Sequence, residues 1–137
     1  YNSPILRLAA SIPHQQRLAA PQATVERRSP VCGSRVTVDL ALDDEGKVAE
    51  VGQEVRACAL GQASASLMGQ AVLGKSVGEL EAARDALTAY LAGKREDPGD
   101  WPGLDIFAPA RAHSARHASI RLAFEAAAEA ARQALSR

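Results

Sequence analysis

The chain has 137 residues, 47% of them hydrophobic and 4% aromatic, with 16 basic side chains balanced by 16 acidic ones. That length fits a single domain spanning residues 1–137, built on one core, and the apolar fraction is ordinary for a globular protein, so disorder is not the default reading. Zero net charge gives no general attraction to nucleic acid or to an anionic membrane surface, and no apolar run of about 18 residues is present to cross a bilayer.

Aromatic side chains are few and alanines many, so the core is expected to be thin, with helices packed closely. Ser3-Pro4 reads as a helix start, with Ser3 at the N-cap and Pro4 at the first helical position. Ile5, Leu8, Ala9 and Ile12 recur at helical spacing until Pro13 stops them. Residues 14–23 read as a loop, and Thr24 to Arg28 as an edge strand, since Pro30 limits central pairing. Arg35 to Leu42 alternates clearly: Val36, Val38, Leu40 and Leu42 point one way, and Arg35, Thr37, Asp39 and Ala41 the other. Asp43 to Gly46 is a turn, and Lys47 to Val55 returns with Ala49, Val51 and Val55 on one face, which completes a β-hairpin.

From Cys58 the period becomes helical, through Ala59, Ala63, Ser66, Leu67, Gln70 and Ala71, and Gly74 ends the segment. Ser76 and Glu79 form a capping box for a helix that carries Leu80, Ala83, Leu87, Tyr90 and Leu91 on one side and stops at Gly93. Glu96 to Gly103 is a turn-rich loop anchored by Trp101, with Asp97, Asp100 and Asp105 as turn formers and caps. The last helix is expected to begin near His113, with Ile120, Ala123, Phe124, Ala127, Ala131 and Leu135 facing inward. This order predicts an α+β fold, a three-stranded antiparallel sheet covered by helices, with an N-terminal helix and C-terminal helices.

Chemistry could reside in two cysteines and two histidines. Cys32 follows Ser29-Pro30-Val31 and precedes Gly33-Ser34, so the chain can bend there and project the thiol from the sheet end. Cys58 stands where the returning strand gives way to a helix, whose positive end favours thiolate. The hairpin could bring both to one end of the sheet. The bland alternative is that both are buried apolar side chains, since cysteine is among the most buried residue types and this spacing matches no zinc knuckle. With only two cysteines the chain reads as cytoplasmic, with free or metal-bound thiols and no signal peptide at Tyr1-Asn2-Ser3-Pro4. His113 and His117, four residues apart on the expected helix, would share a face suited to a first-row metal, or would simply lie on a solvated helix start. His14 reads as a loop residue.

The segment Ser29-Pro30-Val31-Cys32-Gly33-Ser34, followed by the Val36-to-Leu42 strand, resembles the first cysteine loop of the NifU N-terminal family, which includes IscU and SufU. Cys58-Ala59-Leu60-Gly61-Gln62-Ala63-Ser64-Ala65-Ser66 is similar to the second cysteine motif of that family, above all in its SufU form. Leu67-Met68 and Gly74-Lys75-Ser76 continue the likeness, and Arg116-His117-Ala118-Ser119 through Leu122-Ala123 resembles the third motif. The resemblance implies a SufE/NifU-like α+β fold and a non-enzymatic scaffold. It also implies a site of three cysteines and one aspartate for zinc or a nascent [2Fe-2S] cluster, with a cysteine desulfurase and cluster-receiving apoproteins as partners. Cys32 and Cys58 carry over as ligands. Ser34 stands in place of the aspartate, and Ser119, or Ala118 with a one-residue shift, in place of the third cysteine.

Three functions are expected on this basis. The first is an iron–sulfur cluster scaffold or carrier with Cys32, Cys58 and His117 as metal ligands and His113, Ser119 and Ser34 as further candidates. The second is a sulfur relay in which Cys58 accepts persulfide. The third is a metal-free paralogue acting as a binding protein. Oligomeric state is left open.

Overall fold

The computed structural model describes residues 2–30 and 32–136; Tyr1, Val31 and Arg137 lie outside the described residues. The chain runs α1 (Ser3–Ala9), β1 (Ala23–Arg28), β2 (Arg35–Leu42), β3 (Val48–Arg56), α2 (Ala59–Ala71), α3 (Val77–Leu91) and α4 (His117–Leu135), with short 3-10 stretches at Leu104–Ala112 and Ser114–Arg116 before α4. The strands form one antiparallel sheet in the order β1-β2-β3. The expected α+β architecture is therefore the observed one, and β1 is an edge strand.

One face of the sheet packs on α4 and on α2, while α3 lies against α4 and α1 against α2. Val36, Val38 and Leu40 of β2 are fully buried, and they meet an α4 whose inner face is mostly alanine. Because alanine has no bulk beyond Cβ, the helix backbone can sit close to the strand. Larger side chains fill the gaps: Phe124 and Trp101 meet edge-on with ring centroids 5.2 Å apart, and the Trp101 indole N–H donates to the Leu67 carbonyl at 2.9 Å. The loop tryptophan is the anchor that its sequence position suggested.

The other face of the sheet is covered by chain rather than by helix. Residues 14–18 cross it, and the Gln16 carbonyl approaches Gly52 so closely that a Cβ there would sit 2.0 Å from the oxygen. The segment is tied down by Asp39, whose side chain is wholly buried. Its carboxylate accepts from the Arg17 guanidinium at 2.6 and 3.1 Å, the Leu18 backbone N–H at 3.0 Å and the Thr24 hydroxyl at 2.6 Å. Burial alone would raise the Asp39 pKa, but the hydrogen bonds from Arg17, Thr24 and Leu18 together outweigh it and hold the carboxyl below its ordinary value.

Several local expectations need correction. The N-cap of α1 is Asn2, whose side chain accepts from the Ile5 N–H, and the helix ends at Ala9, so Ile12 packs on the core from outside it. Ala49 is exposed, because the β2–β3 register shifts between Ala41 and Leu42 and turns Val48 inward in its place. The last helix starts at His117, since the chain from Leu104 to Arg116 winds as 3-10 turns around Pro109. Its inward stripe continues to Ala134, and Leu135, one residue on, is half exposed beside Gly46. The capping box of α3 is present, Ser76 Oγ accepting from Glu79 N–H at 3.1 Å and Glu79 from Ser76 N–H at 3.0 Å.

Replacing Asp39 by Asn leaves Arg17 without its buried counter-charge and should lower stability at pH 7 by about 2–3 kcal/mol, read from urea denaturation. The depressed pKa means this contribution is present above the ordinary carboxylate pKa and is lost as pH falls through the folded value. The gap between wild type and Asp39→Asn should therefore close in strong acid.

Candidate functional site

The start of β2 and the end of β3 meet at the pair Arg35 and Arg56, which defines one end of the sheet. Cys32 lies just before that end, after β1, and Cys58 lies just beyond it as the N-cap residue of α2. Both are exposed free thiols, so neither is a buried apolar side chain. At the same end the first turn of α2 crosses the first turn of α4. Gly61 makes that crossing possible, since a Cβ there would lie 3.3 Å from the Ser119 carbonyl and 2.7 Å from the Ala57 Cβ. One turn further along, the Ser64 hydroxyl donates to the Ile120 carbonyl at 2.6 Å and locks the two helices together.

This crossing sets Ser119 against Cys32. The Cys32 sulfur lies 2.9 Å from Ser119 Oγ, 3.0 Å from Ser34 Oγ and 3.3 Å from Ser29 Oγ, and Ser119 also donates to Ser34 at 3.3 Å. All three serines are at least 96% buried, as their relative exposures of 4%, 3% and 3% require. Hydroxyl groups can rotate to donate to the sulfur once it loses its proton, which stabilises the thiolate. Ser119 contributes most, then Ser29 and Ser34, with burial opposing, and the Cys32 pKa falls from 9.0 to about 6. Cys58 makes no side-chain capping hydrogen bond.

His117 opens α4, and its Nε2 lies 2.9 Å from the Ala110 carbonyl, in hydrogen-bond contact. His117 and Ser119 are two residues apart on α4, which places them roughly 200° apart around the helix axis. His113 falls between the two 3-10 stretches with φ −119° and ψ 82°, so the expected shared helix face for His113 and His117 does not form. Among the described residues no three His, Cys, Asp or Glu side chains gather into a group able to hold a metal ion. Cys32, Cys58 and His117 are therefore not brought together as a three-ligand site. Neutral hydroxyls of Ser34 and Ser119 are weak donors to iron or zinc compared with thiolate.

The sequence placed Ser34 and Ser119 beside the cysteines only through their family positions, and it did not single out Ser29. The visible signal for Ser29 was its place three residues before Cys32, the reach of a turn.

A thiol set among buried hydroxyls at the helix-covered end of a three-stranded sheet defines a small α+β thiol protein. The chain belongs to the family of the NifU-like N terminal domain, whose model matches residues 1–118. It is similar over its whole length to the crystal structure of a nitrogen-fixing NifU-like protein, N-terminal part, from Brucella abortus, with 41% identity, a TM-score of 0.93 and coverage of 95% of that chain. It also shares its fold with a putative iron–sulfur cluster assembly scaffold protein for the SUF system from Fervidobacterium islandicum AW-1. The identity there is 21%, the TM-score 0.87, and 96% of each chain is covered. No curated protein sequence matches the chain.

Two outcomes follow from the hydroxyl cradle. Alkylation of Cys32 by iodoacetamide, followed by peptide mass spectrometry, should rise with a midpoint near pH 6, where the folded pKa of about 6 lies. Ser119→Ala, which removes the largest stabilising hydroxyl, should move that midpoint toward the ordinary thiol range.

Proposed function

We propose that this chain is a non-catalytic scaffold or carrier in iron–sulfur cluster assembly, with an iron–sulfur unit as its cargo. Family membership supports this reading, as does the likeness to the SUF-system scaffold, whose name describes that task. The observation that carries it is the pair of exposed thiols flanking one sheet end, with Cys32 supported as thiolate by three buried hydroxyls.

In this reading Cys32 and Cys58 are the protein's ligands to the cargo, an iron ion or a [2Fe-2S] cluster, with zinc as the alternative occupant. Ser29, Ser34 and Ser119 hold Cys32 in its binding orientation rather than bind metal themselves. His117 stays outside the ligand set because its Nε2 is engaged by the Ala110 carbonyl. A cysteine desulfurase supplies the sulfur and cluster-receiving apoproteins take the product. Free thiols suit the reducing cytoplasm; among the described residues no helix is long and apolar enough to cross a membrane.

A second reading, sulfur relay, is favoured by the same cradle, but with Cys32 rather than Cys58 as acceptor. The Cys32 thiolate would attack the outer sulfur of a desulfurase persulfide, form the new S–S bond, and release the desulfurase cysteine as thiolate. No outside oxidant is consumed, because the transferred sulfur already carries the oxidation state.

Anaerobic reconstitution with ferric citrate and sulfide should give visible absorption in the wild type and lose at least about nine-tenths of it in Cys32→Ala and in Cys58→Ala. A colourless wild type counts against the scaffold reading. Incubation with desulfurase and cysteine should add one sulfur to Cys32 by mass spectrometry, and addition to neither thiol would end the relay reading.

A further inference from the structure

The C-terminal end of α2 leads to a second feature, which the thiol site does not use. α2 runs for 13 residues from Ala59 to Ala71, so its far end stands about 20 Å from the Cys58 end. From there Lys75 enters α3 through the Ser76 cap, and the loop after α3 folds back over that helix. Ala82, Ala83 and Ala86 put no bulk under the loop. Gly99, with φ +92°, comes down so closely that a Cβ there would sit 2.8 Å from the Ala86 Cβ. A cavity of about 230 Å³ remains between α3, the loop and the Trp101 indole.

The lining divides by chemistry. The three alanines and the indole supply its apolar part, and Trp101 is fixed by its N–H bond to the Leu67 carbonyl and its edge-on contact with Phe124. Its rim carries both signs of charge, Lys75 and Arg95 against Glu79 and Asp100. Two of these are already committed: Glu79 closes the α3 capping box, and Arg95 pairs with Asp97 at 3.0 Å. The other two are not. The Lys75 ammonium stands 5.4 Å from the Trp101 ring centroid and makes no ion pair among the described residues; its charge acts on Glu79 without a direct contact. The Asp100 carboxylate makes neither a hydrogen bond nor an ion pair among the described residues. A cation and an anion thus border one cavity without neutralising each other.

We infer that this cavity is a binding site for a free α-amino acid, its carboxylate on Lys75, its ammonium on Asp100 and its side chain over the alanines and Trp101. An α-amino acid carries both charges on one carbon, so it satisfies both groups at once. A simple carboxylate would leave Asp100 without a counter-charge, and a simple amine would leave Lys75 so. Volume sets the size, because pockets for drug-sized ligands run from about 300 to 1,000 Å³ and this one is smaller. It admits one amino acid and not a peptide. The alanines and the indole favour an aliphatic side chain over a charged one. Ion pairs at a solvated rim are weak and screened by salt, so affinity is in the millimolar range and falls as salt is added.

Trp101 is the single tryptophan of the chain, so its fluorescence reports on the cavity. The test is a fluorescence titration of the full chain with L-valine, beside N-acetyl-L-valine, which lacks the ammonium, and L-valinamide, which lacks the carboxylate. L-Valine should give a saturable change, and each analogue should bind at least about tenfold more weakly. Lys75→Met and Asp100→Asn, each titrated against its own baseline, should weaken L-valine by a similar factor. Ala82→Leu fills the cavity from an exposed helical position, and should abolish the change while leaving the thermal unfolding midpoint where it was. Failure of L-valine to saturate overturns the inference. Equal binding of either analogue overturns it too, because the site then reads one charge and not two. Unchanged binding in Ala82→Leu overturns it by placing the ligand elsewhere. No arm of the test involves iron or a thiol, so its outcome is separate from that of the scaffold reading.

Discussion

The close seating of α4 on the central strand is the contact on which the rest of the molecule depends. Val36, Val38 and Leu40 present one apolar stripe, and the alanines of α4 let the helix backbone come down onto it. A bulkier helix face would hold α4 further from the sheet, and Ser119 at its first inward turn would no longer reach the Cys32 sulfur at 2.9 Å. Because interiors are packed to near-crystalline density, this distance is set by the whole interface and not by the local loop. Gly61 and Ser64 extend the same constraint to α2, so the helix that begins at Cys58 is fixed against the helix that carries Ser119.

The chemistry of the site follows from which atoms that packing delivers. Three hydroxyls around one sulfur stabilise negative charge without adding any of their own, so the thiolate is favoured. A carboxylate at position 34 or a thiolate at position 119 would, as a like charge, have opposed ionisation of Cys32. Serine at both places supports a thiolate at the surface without setting a like charge beside it. The scaffold and relay readings both draw on that property, and they differ in whether the sulfur's partner is iron or another sulfur.

The opposite face of the sheet shows a second division of labour. Asp39 gathers Arg17, Leu18 and Thr24, and so holds residues 14–18 over the face of the sheet opposite α4. It takes no part in the thiol site, but it keeps β2 buried on both sides and thereby keeps the strand that leads from Ser34 in register with its neighbours.

Period and punctuation in the chain were enough to place the three strands and to find the four helices, though not every end of them. Alternation marked β2 to the residue, the Ser76 and Glu79 pair marked the start of α3, and Gly93, with φ of +77°, marked its end; α2 stops at Ala71, three residues before the expected Gly74. The two cysteine positions and their family likeness were equally legible. What local pattern could not carry was anything that depends on residues far apart in the chain. The bulge that exposes Ala49 depends on pairing with β2. The 3-10 path that separates His113 from α4 depends on the burial of Leu104, Phe107 and Ala110 in the core. Ser29, Ser34 and Ser119 become one cradle only because 85 residues of chain return Ser119 to Ser34. Sequence determined which side chains are available, since helix and strand periods are local properties of the backbone; tertiary structure decided which of them meet, since a hydrogen bond to a distant partner leaves no periodic trace.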